Sequence, residues 1–171
     1  MTKRVLILDT SILCCWLNVP GKETAGPVDD RWTNERAATY LAEEVQQGST
    51  FVLPIATLIE TGNHIAQAPQ QRFEIAQTLM ECLRSARSAT SPWAAFTEQA
   101  HLWDEQNLHV LIEHWPSLAG GGLTIGDATI KEVAEYYAQA GCSVEILTGD
   151  AGLKAYEPAK PLQRPRRRMG S

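Results

Sequence analysis

Four acidic residues, widely separated along the chain, are the strongest candidates for chemistry. Asp9 directly follows an apolar run in VLILDTSIL, and Asp150 comes shortly after another in ILTGDAGLKAY. Glu60 lies in PIATLIETGN and Asp127 in TIGDATI, each near the start of a predicted helix. Clustered carboxylates repel one another and raise each other's pKa values unless a cation lies between them. If the four meet, the site suits a hard divalent cation, Mg²⁺ or Mn²⁺, and metal-assisted hydrolysis of phosphodiesters.

Each acid also has a purely structural interpretation. Asp9 and Asp150 can cap the helices predicted after them, and Asp127 gains about 0.3–1 kcal/mol from the dipole of its own helix. Glu60 is harder to explain in this way, because it lies in an apolar helical stretch with no Lys or Arg within four residues. Taken separately the acids are weak indicators of function, whereas four acids at one edge of a sheet would be a strong one.

An α/β layer fold would bring the acids together, because strand ends and helix starts then share one edge of the sheet. Strands are predicted at Val5–Leu8, Thr50–Leu53, His109–Ile112 and Ser143–Leu147. The first is apolar throughout, as expected of a central parallel strand covered on both faces. Apolar residues at helical spacing predict the intervening helices, and Ser91-Pro92 predicts a helix start with Ser91 as N-cap. This alternation predicts a mainly parallel sheet flanked by helices, with ligands beyond the carboxyl ends of its strands.

Composition and charge narrow the classes of function. The 171 residues fit one domain, predicted at 1–158, followed by a Pro- and Arg-rich tail at 159–171 with Arg164, Arg166, Arg167 and Arg168. The net charge of −5 argues against broad, nonspecific binding of nucleic acids. The four cysteines have neither metal-site nor disulfide spacing and are interpreted as free thiols. No run approaches the roughly 18 apolar residues of a membrane span, so we expect no membrane partner and a cytoplasmic location.

The four motifs, taken in order, give the chain a family resemblance. VLILDTSIL, PIATLIETGN, TIGDATI and ILTGDAGLKAY together resemble the PIN-domain nucleases over nearly the whole chain. The resemblance implies a three-layer PIN-like fold and a Mg²⁺- or Mn²⁺-dependent acidic site that cuts RNA. It also implies that the catalytic and metal-binding acids are Asp9, Glu60, Asp127 and Asp150. Ser11 and Thr148 match the small hydroxyl residues that accompany the first and last acids in the family.

Many small members of this family are VapC-like toxins of toxin–antitoxin pairs. For such a member the partners are an RNA substrate and an antitoxin protein, and a homodimer is left open. This chain is longer than a typical minimal toxin, mainly at Asn18–Asp30 and Ser88–Leu123. His64, one turn beyond Glu60, lies within reach of the same site, although a lone histidine is more often a surface or core residue.

Other classes of function remain as alternatives. A phosphate-transfer enzyme of the haloacid-dehalogenase type also places an aspartate after its first strand, but it needs a second acid two residues later, where this chain has Ser11. A receiver-like domain needs a further acidic pair near the first strand, and nucleotide binding needs a glycine-rich phosphate loop; neither pattern is evident. A further alternative is a catalytically silent PIN-like binding module. The presence of all four acids argues against it.

Overall fold

A computed structural model describes residues 2–161 of the chain. The predicted tail residues Arg164, Arg166, Arg167 and Arg168 lie outside this range. In chain order the elements are β1 (Arg4–Leu8), α1 (Thr10–Trp16), β2 (Thr24–Ala25), β3 (Trp32–Thr33), α2 (Asn34–Gln46), β4 (Thr50–Val52), α3 (Ile55–Gln67), α4 (Arg72–Arg87), α5 (Glu105–Gly120), α6 (Ile125–Gln139), β5 (Ser143–Leu147) and α7 (Ala151–Lys154). Two 3-10 helices, Val28–Asp30 and Phe96–Trp103, complete the elements of the described residues. None of the helices in the described range has the length and hydropathy to cross a membrane.

The sheet has three parallel strands in the order β4-β1-β5. Central β1 places Ile7 opposite Val52 on one side and opposite Ile146 on the other. All four residues of the run Val5–Leu8 have no exposed surface. Leu6 and Leu8 pack into the core formed with α1 to α4, while Val5 and Ile7 pack on the opposite face against α6. The prediction of an α/β fold with a parallel sheet flanked by helices is therefore confirmed.

The strand predicted at His109–Ile112 is wrong, because this segment lies inside α5. Asp104 caps that helix by accepting a hydrogen bond from the amide of Asn107 at 2.8 Å. A short apolar run such as His-Val-Leu-Ile fits a strand and one side of a helix equally well. The N-cap signal five residues upstream was the feature that distinguished them.

The helix start predicted at Ser91-Pro92 is also wrong. Ser91 and Pro92 form a turn, and the chain then runs beside β4: the Phe51 amide donates to Pro92 O at 2.7 Å, and the Ala94 amide donates to Phe51 O at 2.8 Å. Helical structure begins only at Phe96. The physical reason is that β4 is an edge strand, whose free backbone groups take the passing segment as a partner.

A small antiparallel hairpin, β2–β3, stands outside the main sheet. It pairs Thr24 with Thr33 and Ala25 with Trp32. The Trp32 ring packs edge-on against Tyr40 of α2, with ring centroids 5.5 Å apart. The hairpin is anchored to the body of the domain in this way, and its other side reaches the carboxyl edge of the sheet.

A charged network ties the amino end of β1 to its neighbours. The Arg4 guanidinium donates to Glu44 Oε1 at 2.7 Å and to Glu145 Oε2 at 2.6 Å. The Tyr40 hydroxyl donates to the same Glu145 oxygen at 3.0 Å, and Ser49 bonds Glu44 as well. Glu44 is buried, and its hydrogen bonds with Arg4 lower the pKa of its carboxyl group against the opposing effect of burial. This network lies at the end of β1 opposite Asp9 and joins β1, β5 and α2.

Candidate active site

A cleft of about 710 Å³ opens at the carboxyl edge of the sheet. It is lined from α1, the β2–β3 hairpin, α3, the start of α6 and the turn between β5 and α7. Parallel strands β1 and β5 end side by side here, with Leu8 opposite Leu147. The four predicted acids all line this one cleft: Asp9, Glu60, Asp127 and Asp150. Topology therefore brings together carboxylates that are up to 141 residues apart in the printed sequence.

Asp9 forms the floor of the cleft and is only 6% exposed. Its Oδ2 atom accepts hydrogen bonds from the Ser11 amide at 3.2 Å, from Ser11 Oγ at 2.6 Å and from Thr148 Oγ1 at 2.8 Å. Asp9 is thus the N-cap of α1, as the structural interpretation proposed, and it also faces the cleft. The two roles are compatible because the cap uses one carboxylate oxygen.

Ser11 and Thr148 join the end of β1 to the turn after β5. Besides donating to Asp9, Ser11 Oγ accepts a hydrogen bond from the Gly149 amide at 3.0 Å. Thr148 Oγ1 accepts one from the Asp150 amide at 2.9 Å. Each hydroxyl donates one hydrogen bond to Asp9 and accepts one from a backbone amide of the turn after β5. Both residues are therefore placed to orient Asp9 relative to Asp150.

Asp150 caps the short helix α7. Its Oδ1 atom accepts from the amides of Gly152 at 2.7 Å and Leu153 at 3.4 Å. As with Asp9, capping engages one oxygen, and the residue still lines the cleft. The capping interpretation of Asp150 is correct as a description of its local structure.

Glu60, on α3, has a hydrogen-bond partner on another helix, α1. Thr10 Oγ1 donates a hydrogen bond to Glu60 Oε2 at 2.9 Å. Gly126 of α6 packs close to the same carboxylate. Glu60 is therefore held between the residue that follows Asp9 and the residue that precedes Asp127.

Asp127 occupies the first turn of α6, where Thr124 is the N-cap and accepts from the Asp127 amide at 3.0 Å. Burial is the main cause that raises the pKa of the Asp127 carboxyl. The Thr124 hydroxyl and amide oppose this effect, while the negative charges of Asp9 and Asp150 raise the pKa further. The three aspartates are thus close enough for their charges to act on one another.

The donor set suits a hard cation, although the acids are not preassembled around one. Within residues 2–161, the oxygens that accept hydrogen bonds are Asp9 Oδ2, Glu60 Oε2 and Asp150 Oδ1. The second oxygen of each of these carboxylates has no donor in that range. No Lys or Arg in that range lies at ion-pair distance from the four acids. Free oxygens without a protein cation fit Mg²⁺ or Mn²⁺. Nevertheless, no group of three or more His, Cys, Asp and Glu side chains in the described chain is arranged to hold a metal ion.

Several residues of the cleft were missed from the sequence. Thr124 could have been found, because a threonine three residues before Asp127 matches the capping pattern at a helix start. Thr10 gave no signal, since its bond to Glu60 joins elements that are 50 residues apart. Lys22 and Cys14 also line the cleft. Their positions depend on how α1 and the segment before β2 pack, which no local pattern reveals. His64, which the sequence placed within reach of the site, lines the cleft as well.

Comparisons of the chain with models of protein families, with curated proteins and with solved structures gave no match.

Proposed function

We propose that the cleft is the active site of a Mg²⁺- or Mn²⁺-dependent endoribonuclease, a hydrolase of PIN-like fold. The observation that carries the proposal is that four carboxylates from separate elements line one cleft at the carboxyl edge of a parallel sheet. Acids that share one cleft repel one another in the absence of a cation, and the charges of Asp9 and Asp150 add to burial in raising the pKa of Asp127. The order of the four sequence motifs supports the same family and its substrate, RNA.

The residues that would hold the metal are Asp9, Glu60, Asp127 and Asp150, each of which lines the cleft. A bound divalent ion would supply Lewis-acid stabilisation of the phosphate and a water activated for attack. Because the carboxylates stand as separate groups, binding would have to draw their side chains together. That movement would be favourable, since it replaces mutual repulsion with attraction to one positive charge.

The protein's own groups have distinct parts in the proposed reaction. Ser11 and Thr148 orient Asp9, and Thr10 orients Glu60, so that two carboxylates are positioned before substrate arrives. Asp127 would share in holding the metal, and burial together with the charges of Asp9 and Asp150 raises the pKa of its carboxyl in the metal-free protein. The cleft is large enough to admit a nucleotide and open enough for a strand to cross it, as an endonuclease requires.

The phosphate-transfer alternative is not favoured by the geometry around Asp9. The position two residues later is occupied by Ser11, whose hydroxyl donates to the Asp9 carboxylate. A carboxyl group at that position would be needed to protonate a leaving group. The catalytically silent binding module differs from the proposal only in activity, and the experiment below separates the two.

A toxin role is a further part of the proposal and rests on the nuclease activity. An antitoxin would be a separate protein that covers this cleft or its surroundings. The adjacent reading frame is the informative observation: a small DNA-binding protein with a polar tail there would favour the toxin role.

The test is RNA cleavage by the purified full-length protein with Mg²⁺, with Mn²⁺ and with excess EDTA, together with calorimetric titration of Mn²⁺. We expect cleavage with either ion, loss of cleavage in EDTA and recovery when Mn²⁺ is added in excess. The matched control is Glu74→Gln, which removes an exposed carboxylate on α4 and should change neither cleavage nor Mn²⁺ binding.

Two results would overturn the proposal. Undiminished cleavage in EDTA would remove the metal-dependent mechanism. Binding of Mn²⁺ and RNA without cleavage of any single-stranded or looped RNA would instead establish the silent module.

A further inference from the structure

Lys22 lines the acidic cleft and is the single Lys or Arg that does so within residues 2–161. It lies in the segment between α1 and β2 and is exposed. No carboxylate of the described chain is at ion-pair distance from its ammonium group. The Lys22 ammonium group is therefore free to bind an anionic ligand that enters the cleft.

The backbone that carries Lys22 is held at several points. The Lys22 amide donates to Val19 O at 2.8 Å, in a turn where Gly21 adopts φ +83°, a left-handed conformation suited to glycine. One residue later, Cys15 Sγ donates to Glu23 O at 3.0 Å. Lys22 therefore has a defined place on the rim and does not sit on a free loop.

The hairpin that follows Lys22 is fitted closely to the opposite part of the site. A Cβ built on Gly149 would lie 2.6 Å from Gly26 N and 2.9 Å from Ala25 Cβ. Gly149 directly precedes Asp150, so the wall bearing Lys22 is in contact with the turn that presents an acid. This packing fixes the position of the hairpin relative to the turn that carries Asp150.

Lys22 is not paired with the acidic residue beside it in the chain. The carboxylate of the next residue, Glu23, interacts with the amides of Gly21 and of Glu23 itself, which lower its pKa, and it does not pair with Lys22. The Lys22 charge reaches Cys14 in the cleft wall, where it lowers the pKa of a thiol that burial raises to about 11. Lys22 therefore lines the cleft and forms no ion pair with any acid of residues 2–161.

We propose that Lys22 binds a backbone phosphate of the RNA strand in the cleft, which makes it a substrate-binding residue. This inference rests on the proposed nuclease function. A polyanion approaching a protein of net charge −5 and a cleft of four carboxylates is repelled unless local cations offset them. A lysine is a compact point charge on a flexible stem and binds phosphate without demanding a fixed orientation.

The test is a binding titration of a short fluorescein-labelled single-stranded RNA at several KCl concentrations in the presence of Mg²⁺. The proteins carry Asp9→Asn, so that the RNA stays intact, alone or combined with Lys22→Ala, Lys22→Arg or Lys3→Ala. Lys3→Ala is the matched control, since Lys3 is exposed and directly precedes β1, at the end of that strand opposite Asp9. Cleavage by the parent protein is measured separately.

We expect Lys22→Ala to weaken RNA binding about threefold to fivefold at low salt, the effect of an exposed charge pair. The slope of log affinity against log salt should fall by about 0.7, the contribution of one phosphate on a single strand. Lys22→Arg should retain the RNA affinity and the salt slope of its Asp9→Asn parent, and Lys3→Ala should change neither quantity.

Equal affinities and slopes for the Lys22→Ala and Lys3→Ala proteins would overturn the inference while leaving the nuclease proposal intact if the parent protein cleaves RNA. An Lys22→Arg protein as weak as Lys22→Ala would also overturn it, because charge would then not be the operative property. Failure of the parent protein to cleave RNA would count against the nuclease, and a Lys22-dependent salt slope would still show the phosphate contact.

Discussion

Gly126, in the first turn of α6, packs directly against the carboxylate of Glu60 on α3. A Cβ built on Gly126 would stand 2.6 Å from Glu60 Oε1 and 3.6 Å from Ala56 Cβ. Glycine thus leaves room here for the Glu60 carboxylate, which a larger residue would displace. The relationship matters because Thr10 holds the other oxygen of the same carboxylate, so that Glu60 is fixed from two sides.

Replacing Gly126 with alanine should displace the Glu60 carboxylate. We expect Gly126→Ala to lower kcat/KM for RNA cleavage by tenfold or more, since a misplacement of about 1 Å in a catalytic group can cost roughly a hundredfold. The change in the free energy of unfolding should stay within about 1 kcal/mol, because the gain in helix propensity offsets the movement of one flexible side chain. Steady-state cleavage and urea denaturation measure the two effects.

Gly62→Ala is the matched control for this substitution. Gly62 also lies in a helix, two residues from Glu60, and a Cβ there meets no atom within 4 Å. This variant should gain stability and retain activity. Equal activities of the two alanine variants would show that the contact with Glu60 is unimportant.

The acids at the cleft should differ in their effect on stability. Both Asp9→Asn and Asp127→Asn should abolish cleavage. Asp127→Asn should raise the Tm of the metal-free protein by up to about 3 °C. The raised pKa of Asp127 means that its ionised form is disfavoured in the folded state, so ionisation at neutral pH costs stability that the neutral amide recovers.

Asp9→Asn should instead destabilise the protein, because Asp9 Oδ2 accepts three hydrogen bonds at the end of β1. We expect a loss of about 1–2 kcal/mol, as for a charge-assisted cap. Thermal melting of both variants in EDTA is the measurement. A stabilised Asp9→Asn protein would show that repulsion among the acids outweighs the bonds at Oδ2.

Thr148 should act through the orientation of Asp9. Thr148→Val keeps the shape of this buried side chain but removes the bonds to Asp9 Oδ2 and from the Asp150 amide. The free energy of unfolding should fall by about 2 kcal/mol, since the Asp9 carboxylate and the Asp150 amide each lose a hydrogen bond. The kcat should fall with little change in KM, and Thr148→Ser should restore most of both. An unimpaired valine variant would assign the positioning of Asp9 to Ser11 alone.

The network at the amino end of β1 should make stability depend on pH. Hydrogen bonding to Arg4 is the largest cause that lowers the pKa of Glu44 in the folded state. Its contribution is therefore present above the unfolded value, about 4.3, and is lost as the pH falls through the folded value. We expect Glu44→Gln to lower the free energy of unfolding by about 2–3 kcal/mol near pH 7 and to flatten its decline below about pH 4.5, because Arg4 then keeps one of its two carboxylate partners, Glu145.

Urea denaturation across this range of pH measures that effect. Glu43→Gln removes the exposed neighbouring acid and is the control for a change in overall charge. Parallel stability curves for the parent protein and Glu44→Gln would contradict the prediction.

Much of the fold could be read from local patterns. The uninterrupted apolar run Val5–Leu8 and the segments around Phe51 and Ile146 indicated buried parallel strands, and the structure confirms them. The positions of Asp9 and Asp150 after two of those strands also followed from the sequence. Hydrophobic periodicity predicts strands and helices because the buried face of each element requires apolar residues at regular spacing.

Tertiary structure alone decided which elements became neighbours. The pairing of Phe51 with the segment at Trp93 and the order β4-β1-β5 depend on contacts between residues distant in the sequence. The helix at His109–Ile112 differs from these, because the Asp104 cap just upstream was a local signal for it.

The site shows the same division. The sequence by itself determined the types of the four acids and the strand or helix on which each lies. Only the tertiary structure placed Thr10 on Glu60, Gly26 against Gly149 and Lys22 on the rim of the cleft. These relationships arise between surfaces of separate elements, and nothing in the local order of residues records them.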